Sequence, residues 1–219
     1  MTHPTGKGML IWDITACSFA SHLPGPLAPL LPSSLSWVAI KVTDGILPFA
    51  PYQKSKTYPP ILANTIKAFK DAGIVVWGWG YTYGVNDLHA QSEAFTAVEA
   101  VNRHTLAGFL IDAESQYKQP GAFSWASHYM DTLCEELPSV PIGLCSYRFP
   151  SLHREFPWDA FLPRCDFHAP QVYWEGAHTP GAQLERSIRE LTGKRYLPII
   201  PIGSAYSTGT WSMVRFIIE

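Results

Sequence analysis

Seven short apolar runs punctuate the chain: Met9–Ile14, Trp37–Val42, Gly73–Tyr81, Ala107–Ile111, Val140–Ser146, Phe167–Tyr173 and Arg195–Ile202. None alternates strictly between apolar and polar, and all carry Val, Ile or aromatic residues, so each predicts a strand buried on both faces. The segments between them repeat their apolar positions at helical spacing instead. Pro59-Pro60 opens a helix carrying Ile61, Ile66 and Phe69 that ends at Asp71-Ala72-Gly73, with Gly73 suited to the residue just past a helix end. A second helix is expected from about Leu88 to Arg103, with Ala94, Phe95, Val98 and Val101 on one face, and a third from Ser124 to Leu137, stopped by Pro138. Gly181 to Leu191 places Leu184, Ile188 and Leu191 at helical intervals. Gly25 to Ser36 has only weak helical signals and reads mostly as loop.

Strands that alternate with helices must pair in parallel through crossovers, which is an α/β fold. Seven of them along 219 residues favour a (β/α) TIM-like barrel over an open doubly wound sheet, and no Gly-rich phosphate turn follows the first strand. The whole chain, 1–219, then forms a single barrel domain, somewhat short of the roughly 250 residues typical of that fold. The deficit lies at an irregular or truncated C-terminal end. Met213–Ile218 offers an eighth strand, but too few residues separate it from the seventh for a crossover helix.

Composition narrows the possible partners. The net charge is −2 and no basic run occurs, so neither nucleic acid nor an anionic membrane surface is an expected partner. Aromatic residues make up 13% of the chain, a surplus that suits a cleft for sugars or other flat-faced ligands. Cys17, Cys134, Cys145 and Cys165 form no CxxC pair and are expected as free thiols; a Cys134–Cys145 or Cys145–Cys165 bridge is the alternative in an oxidising compartment. The eight histidines include no HxH or HExxH, so neither a metal nor another cofactor is expected, and His168 reads as a satisfied core histidine. No signal peptide and no stretch of 18 uninterrupted apolar residues is visible. The oligomeric state has no handle.

In barrels of this kind the site forms where the strands end, so the polar residues there are the candidates. Asp13 follows the first strand; Lys41 and Asp44 end the second, in IKVTDG; Trp77, Trp79 and Tyr81 alternate along the third; Gln171, Tyr173 and Trp174 close the sixth. Asp112-Ala113-Glu114 is the strongest signal. Residues at i and i+2 share a face, and two acids held together raise the pKa of one of them toward a value useful for proton donation. Glu114, nearer the open end, is the expected general acid, with Asp112 as its partner. Lys41 inside an apolar strand needs a carboxylate, for which Asp13 is the expected partner. Gly78 and Gly80 bare one face of the third strand for helix packing, leaving the rings of Trp77, Trp79 and Tyr81 on the other as a sugar platform. Asp44, before Gly45, also fits a plain turn.

In this order the motifs resemble glycoside hydrolase family 25, the lysozyme-like muramidases. The resemblance runs from about Met9 to Gly203 and rests on Asp13, Ile40 to Gly45, Gly78 to Tyr83, Asp112 to Glu114, and Gln171 to Tyr173. It implies a modified (β/α) barrel cleaving a β-linked, N-acetylated glycan such as peptidoglycan. Glu114 would be the catalytic acid, with Asp112 and Asp13 assisting a retaining or substrate-assisted attack. A polysaccharide substrate of that kind goes with a secreted or phage-associated protein. The sequence departs from the family in reading WGWGYTYG where a Tyr-His-aromatic pattern is usual, and in a further acid near the C-terminal strands, for which Glu175 is the nearest candidate. A non-catalytic carbohydrate-binding barrel, or an attachment domain of a cell-wall or phage assembly, is the alternative.

Overall fold

A computed structural model describes residues 2–14, 34–49, 60–174 and 177–203. Its strands are β1 (Lys7–Ile11), β2 (Leu35–Asp44), β3 (Leu47–Pro48), β4 (Val75–Thr82), β5 (Phe109–Ala113), β6 (Ile142–Tyr147) and β7 (Phe167–Gln171). The helices are α1 (Pro60–Asp71), α2 (Asp87–His104), α3 (Ala122–Glu136), the single-turn α4 (Trp158–Phe161) and α5 (Pro180–Lys194). Six strands pair in parallel in the order β1-β2-β4-β5-β6-β7, and β3 folds back antiparallel on β2. The result is a curled, TIM-like α/β barrel wall. The four helices expected from the apolar spacing are α1, α2, α3 and α5. Gly73 ends α1 at φ +78°, with its N–H donating to Lys70 O and that of Ile74 to Phe69 O.

The seventh apolar run behaves differently from the other six. Arg195–Ile202 continues the sheet beyond β7, but only through bridges at His168–Ile199 and Gln171–Ile202. The N–H groups of Ile200 and Ile202 donate to His168 O and Pro170 O, but Pro170 of β7 has no N–H to return to Ile200 O, which interrupts the ladder between the two bridges. At the other end, β2 begins at Leu35, inside the segment expected to be loop. The expected eighth strand, Met213–Ile218, lies outside the described residues, as do Cys17 and Glu175. Among the described residues no helix is long and apolar enough to cross a membrane.

Alternation along each strand separates two apolar layers. Val38, Ile40, Val42, Val76, Phe109, Ile111, Ile142 and Leu144 face the helices. Trp37, Ala39, Trp77, Trp79, Leu110, Cys145, Phe167 and Ala169 fill the interior. The interior floor follows one rule: a ring on one strand lies over a glycine beside it. A Cβ on Gly8 would meet Trp37, one on Gly108 would meet Trp77, and one on Gly143 would meet Phe167, each within about 2 Å. Trp77 and Phe167 then pack edge to face, with ring centroids 5.6 Å apart. This plug sits below the strand ends and leaves the mouth for polar side chains. Cys134, Cys145 and Cys165 are free thiols. His168 is buried, its Nε2 3.2 Å from Arg195 O.

Candidate active site

A bulge in β2 shapes one side of the mouth. Lys41 stands opposite Trp79 of β4, yet Thr43, two residues on, stands opposite the very next residue, Gly80. The extra residue turns Thr43 to the helix side, where a Cβ on Gly80 would fall 1.8 Å from its Oγ1. Asp44 is thereby set opposite Tyr81, and it forms an ion pair with Lys41, Nζ to Oδ1 3.1 Å. The expected pairing of Lys41 with Asp13 is therefore corrected: the ion-pair partner is Asp44, because the bulge brings i and i+3 together. Gly45, at φ +60°, turns the chain into β3. Lys41 is 7% exposed, and its ammonium lies 4.5 Å from the ring centre of Phe49, 5.2 Å from Trp79, 5.8 Å from Trp12 and 6.0 Å from Tyr81.

The acids stand two strands further round. β5 ends at Ala113 and Glu114 leads into a single 3₁₀ turn, Ser115–Lys118. Gln171, at the end of β7, reaches across with its Nε2 and donates to Asp112 Oδ1 at 3.0 Å and to Glu114 Oε1 at 2.9 Å. One amide nitrogen thus clamps both carboxylates. Burial first, and the Glu114 charge second, push Asp112 up to about 8, against the opposing effects of Lys41, Cys145 and Gln171. The carboxyl that rises is the deeper Asp112, so at neutral pH Asp112 carries a proton. Burial, and then the same two acids, hold the Tyr81 hydroxyl far above its ordinary range, and it donates to Gln116 Oε1 at 2.6 Å. Tyr147 is pushed up to about 12 by burial and Glu114. Its ring stacks on His153 at 3.6 Å, with Lys118 Nζ 4.4 Å from its centre.

A cavity of about 1020 Å³ opens beside the pair, between β1 and the 199–203 segment; Trp12, Trp79, Asp112, Gln171 and Tyr173 line its upper part. Among the expected platform residues, Trp79 and Tyr173 reach this space. Trp77 does not: at 0% exposure it belongs to the floor and is withdrawn as a sugar contact, because alternation gives its face but not its depth. Trp174 is half-buried and packs against Gly203. Asp13 is buried just past the end of β1. Trp12, 57% exposed at the rim, was not among the expected contacts.

Glu93 was also missed. It lies on the face of α2 shared by Ala90, Ala94 and Ala97, all buried, and a lone acid on an alanine face was the available signal. Its carboxylate accepts from Tyr83 N at 2.9 Å, Gly84 N at 3.0 Å and Thr82 Oγ1 at 2.5 Å. It thus holds the turn after β4, from which the Tyr83 hydroxyl donates to Asp44 Oδ1 at 3.3 Å.

The curled (β/α) wall is shared with solved structures of low sequence identity, which agree with this chain on the fold. The endo-β-N-acetylglucosaminidase of Cordyceps militaris superposes with a TM-score of 0.63 at 12% identity, over 94% of this chain and 69% of that one. A variant of that enzyme, with an aspartate changed to asparagine and a glutamate two positions on changed to glutamine, bound to fucosyl-N-acetylglucosamine-Asn, gives 0.57 at 11%, over 85% and 62%. A glycosyl hydrolase 25 of Streptococcus pneumoniae gives 0.55 at 11%, over 74% and 68%. The catalytic domain of the endolysin of Listeria monocytogenes bacteriophage P40 gives 0.52 at 15%, over 74% and 73%. No protein-family model and no curated protein matches the chain.

Proposed function

We propose that this chain is a glycoside hydrolase acting on a β-linked, N-acetylated glycan of the peptidoglycan kind, with Glu114 as general acid and Asp112 as its partner. The observation that carries the reading is the clamp of Gln171 on both carboxylates at the mouth of an aromatic-lined cavity. At neutral pH the pair holds a proton. That proton, resting on Asp112, passes to Glu114 and from there to the glycosidic oxygen, which leaves two carboxylates facing an oxocarbenium-like sugar that they stabilise. Two acceptors on one donor nitrogen lie within about 6 Å of each other, short of the roughly 6.5–9.5 Å that an inverting pair needs for its water. A retaining or substrate-assisted route follows, with Asp13 in a supporting role. Trp79, Tyr173 and Trp12 offer ring faces to the sugar.

The neighbours support the substrate class. Two are named as glycosidases, one of them seen with an N-acetylglucosamine conjugate after substitution of an aspartate and a glutamate spaced as Asp112 and Glu114 are, and a third is an endolysin domain. The same chemistry fits a secreted or phage-associated setting. The test is release of reducing ends from peptidoglycan and from N-acetylglucosamine oligomers by the wild type and Glu114→Gln. Turnover should fall about 10²–10⁴-fold in the variant at an unchanged circular dichroism spectrum. A wild type that binds these glycans and releases nothing is a carbohydrate-binding barrel, and the enzyme reading fails.

A further inference from the structure

The proposed reaction uses Asp112, Glu114 and Gln171 but leaves unexplained a lysine buried in an apolar strand two places along the sheet. An ammonium taken out of water is costly, and among the described residues its ion pair is with Asp44, whose side chain is 40% exposed and so partly screened by solvent. Four rings surround the nitrogen. Two of them, Trp79 and Tyr81, stand in register with Leu110 and Asp112 on the next strand, so the cage of Lys41 shares a wall with the acid pair.

We propose that Lys41 is a positioning residue of the acid site: held by Asp44 within the rings of Trp12, Phe49, Trp79 and Tyr81, its ammonium sets how much negative charge the Asp112–Glu114 pair can carry. The proposal rests on the reading of those two acids as the reactive pair. Among the described residues, the groups that act on Asp112 are Glu114 just past its strand, Lys41 from β2, Tyr81 from β4, Cys145 and Tyr147 from β6 and the uncharged amide of Gln171 from β7. Lys41 is the one cation among them. Through low-dielectric rings, its charge reaches Asp112 with less screening than it would in water. Tyr83 and Glu93 extend the arrangement outward, since the Tyr83 hydroxyl steadies Asp44 and Glu93 steadies the turn that carries Tyr83.

The experiment follows the Asp112 carboxyl directly, by ¹³C NMR of the full chain labelled at aspartate carboxyls, with the signal assigned through Asp112→Asn. Lys41→Met should raise the Asp112 titration midpoint by about one pH unit, and Lys41→Arg should leave it near the wild-type value. A merely structural lysine gives the opposite sign in Lys41→Met: loosened packing admits water and drops the midpoint toward the ordinary carboxylate range. A midpoint that falls or stays put in Lys41→Met overturns the proposal. Should that variant fail to fold, Lys41→Gln decides at an unchanged near-ultraviolet spectrum, where a rise supports the proposal and no change or a fall overturns it. The titration needs no turnover. The expected shifts without any glycan release would defeat the enzyme reading and leave the role of Lys41 standing.

Discussion

Replacing Asp112 with asparagine should make the protein more stable, and increasingly so as the pH rises. Asp112 is 8% exposed and its carboxyl rises from the ordinary 3.8 to about 8, through burial and the neighbouring Glu114. At about 1.4 kcal/mol per unit, ionising it in the folded protein is about 6 kcal/mol harder than in the unfolded chain. Below pH 4 the group is protonated in both states and carries no penalty. Between about pH 4 and pH 8 the unfolded chain loses the proton while the native state keeps it, so stability drains away as pH rises and levels off above 8. Asparagine has the shape of the neutral acid and retains an oxygen for the Gln171 amide, yet has no proton to lose. The stability gained by Asp112→Asn should therefore be near zero at pH 4, about 3 kcal/mol at pH 6 and about 5 kcal/mol at pH 8. Denaturant unfolding of both proteins at the three pH values measures it, with the midpoint read at constant slope. A gain that is the same at every pH, or that shrinks as pH rises, refutes the placement of a neutral carboxyl here.

Two further substitutions test the scaffold. Glu93→Ala leaves the N–H groups of Tyr83 and Gly84 without their acceptor, and should lower stability by about 2–4 kcal/mol in thermal or denaturant unfolding; a loss below about 1 kcal/mol shows the turn is held by something else. Gly108→Ala drives a methyl into the Trp77 ring and should destabilise by about 1–3 kcal/mol or more, whereas Gly181→Ala, inside α5 with no atom within 4 Å of the new carbon, should be neutral or stabilising by up to about 1 kcal/mol. Equal effects at the two glycines would contradict the ring-over-glycine floor.

What could be read from the residues depended on whether local periodicity carried the information. The strands β2, β4, β5, β6 and β7 and the four long helices follow from apolar spacing, because each is long enough to show its period. β3, with two residues, is too short to have one, and Arg195–Ile202 looks apolar enough for a strand but lies beside Pro170 of β7, which has no N–H to complete their ladder. At the site, Asp112 and Glu114 stand out as acids after an uncharged run, and their convergence needs only the pleat. The partner of Lys41 was hidden by the bulge at Val42, which breaks the alternation on which any facing argument rests. Trp77 and Trp79 point the same way, so only their height in the barrel separates a floor residue from a cavity wall. That the Asp112 carboxyl is pushed up depends on how deep it sits, which strand spacing does not encode.

The floor of rings and glycines has an electrical consequence. Beneath Asp112 lie Leu110, Trp77, Phe167 and Ala169, all buried side chains with no formal charge. Such a plug is an insulator, so the field of an ionised Asp112 finds little to polarise below it. It is directed sideways, to Lys41, and upward, into the mouth. Whatever positive charge gathers above the pair feels more of that field than it would over a wet floor, and each glycine that lets a ring lie flat against its neighbour helps to seal it.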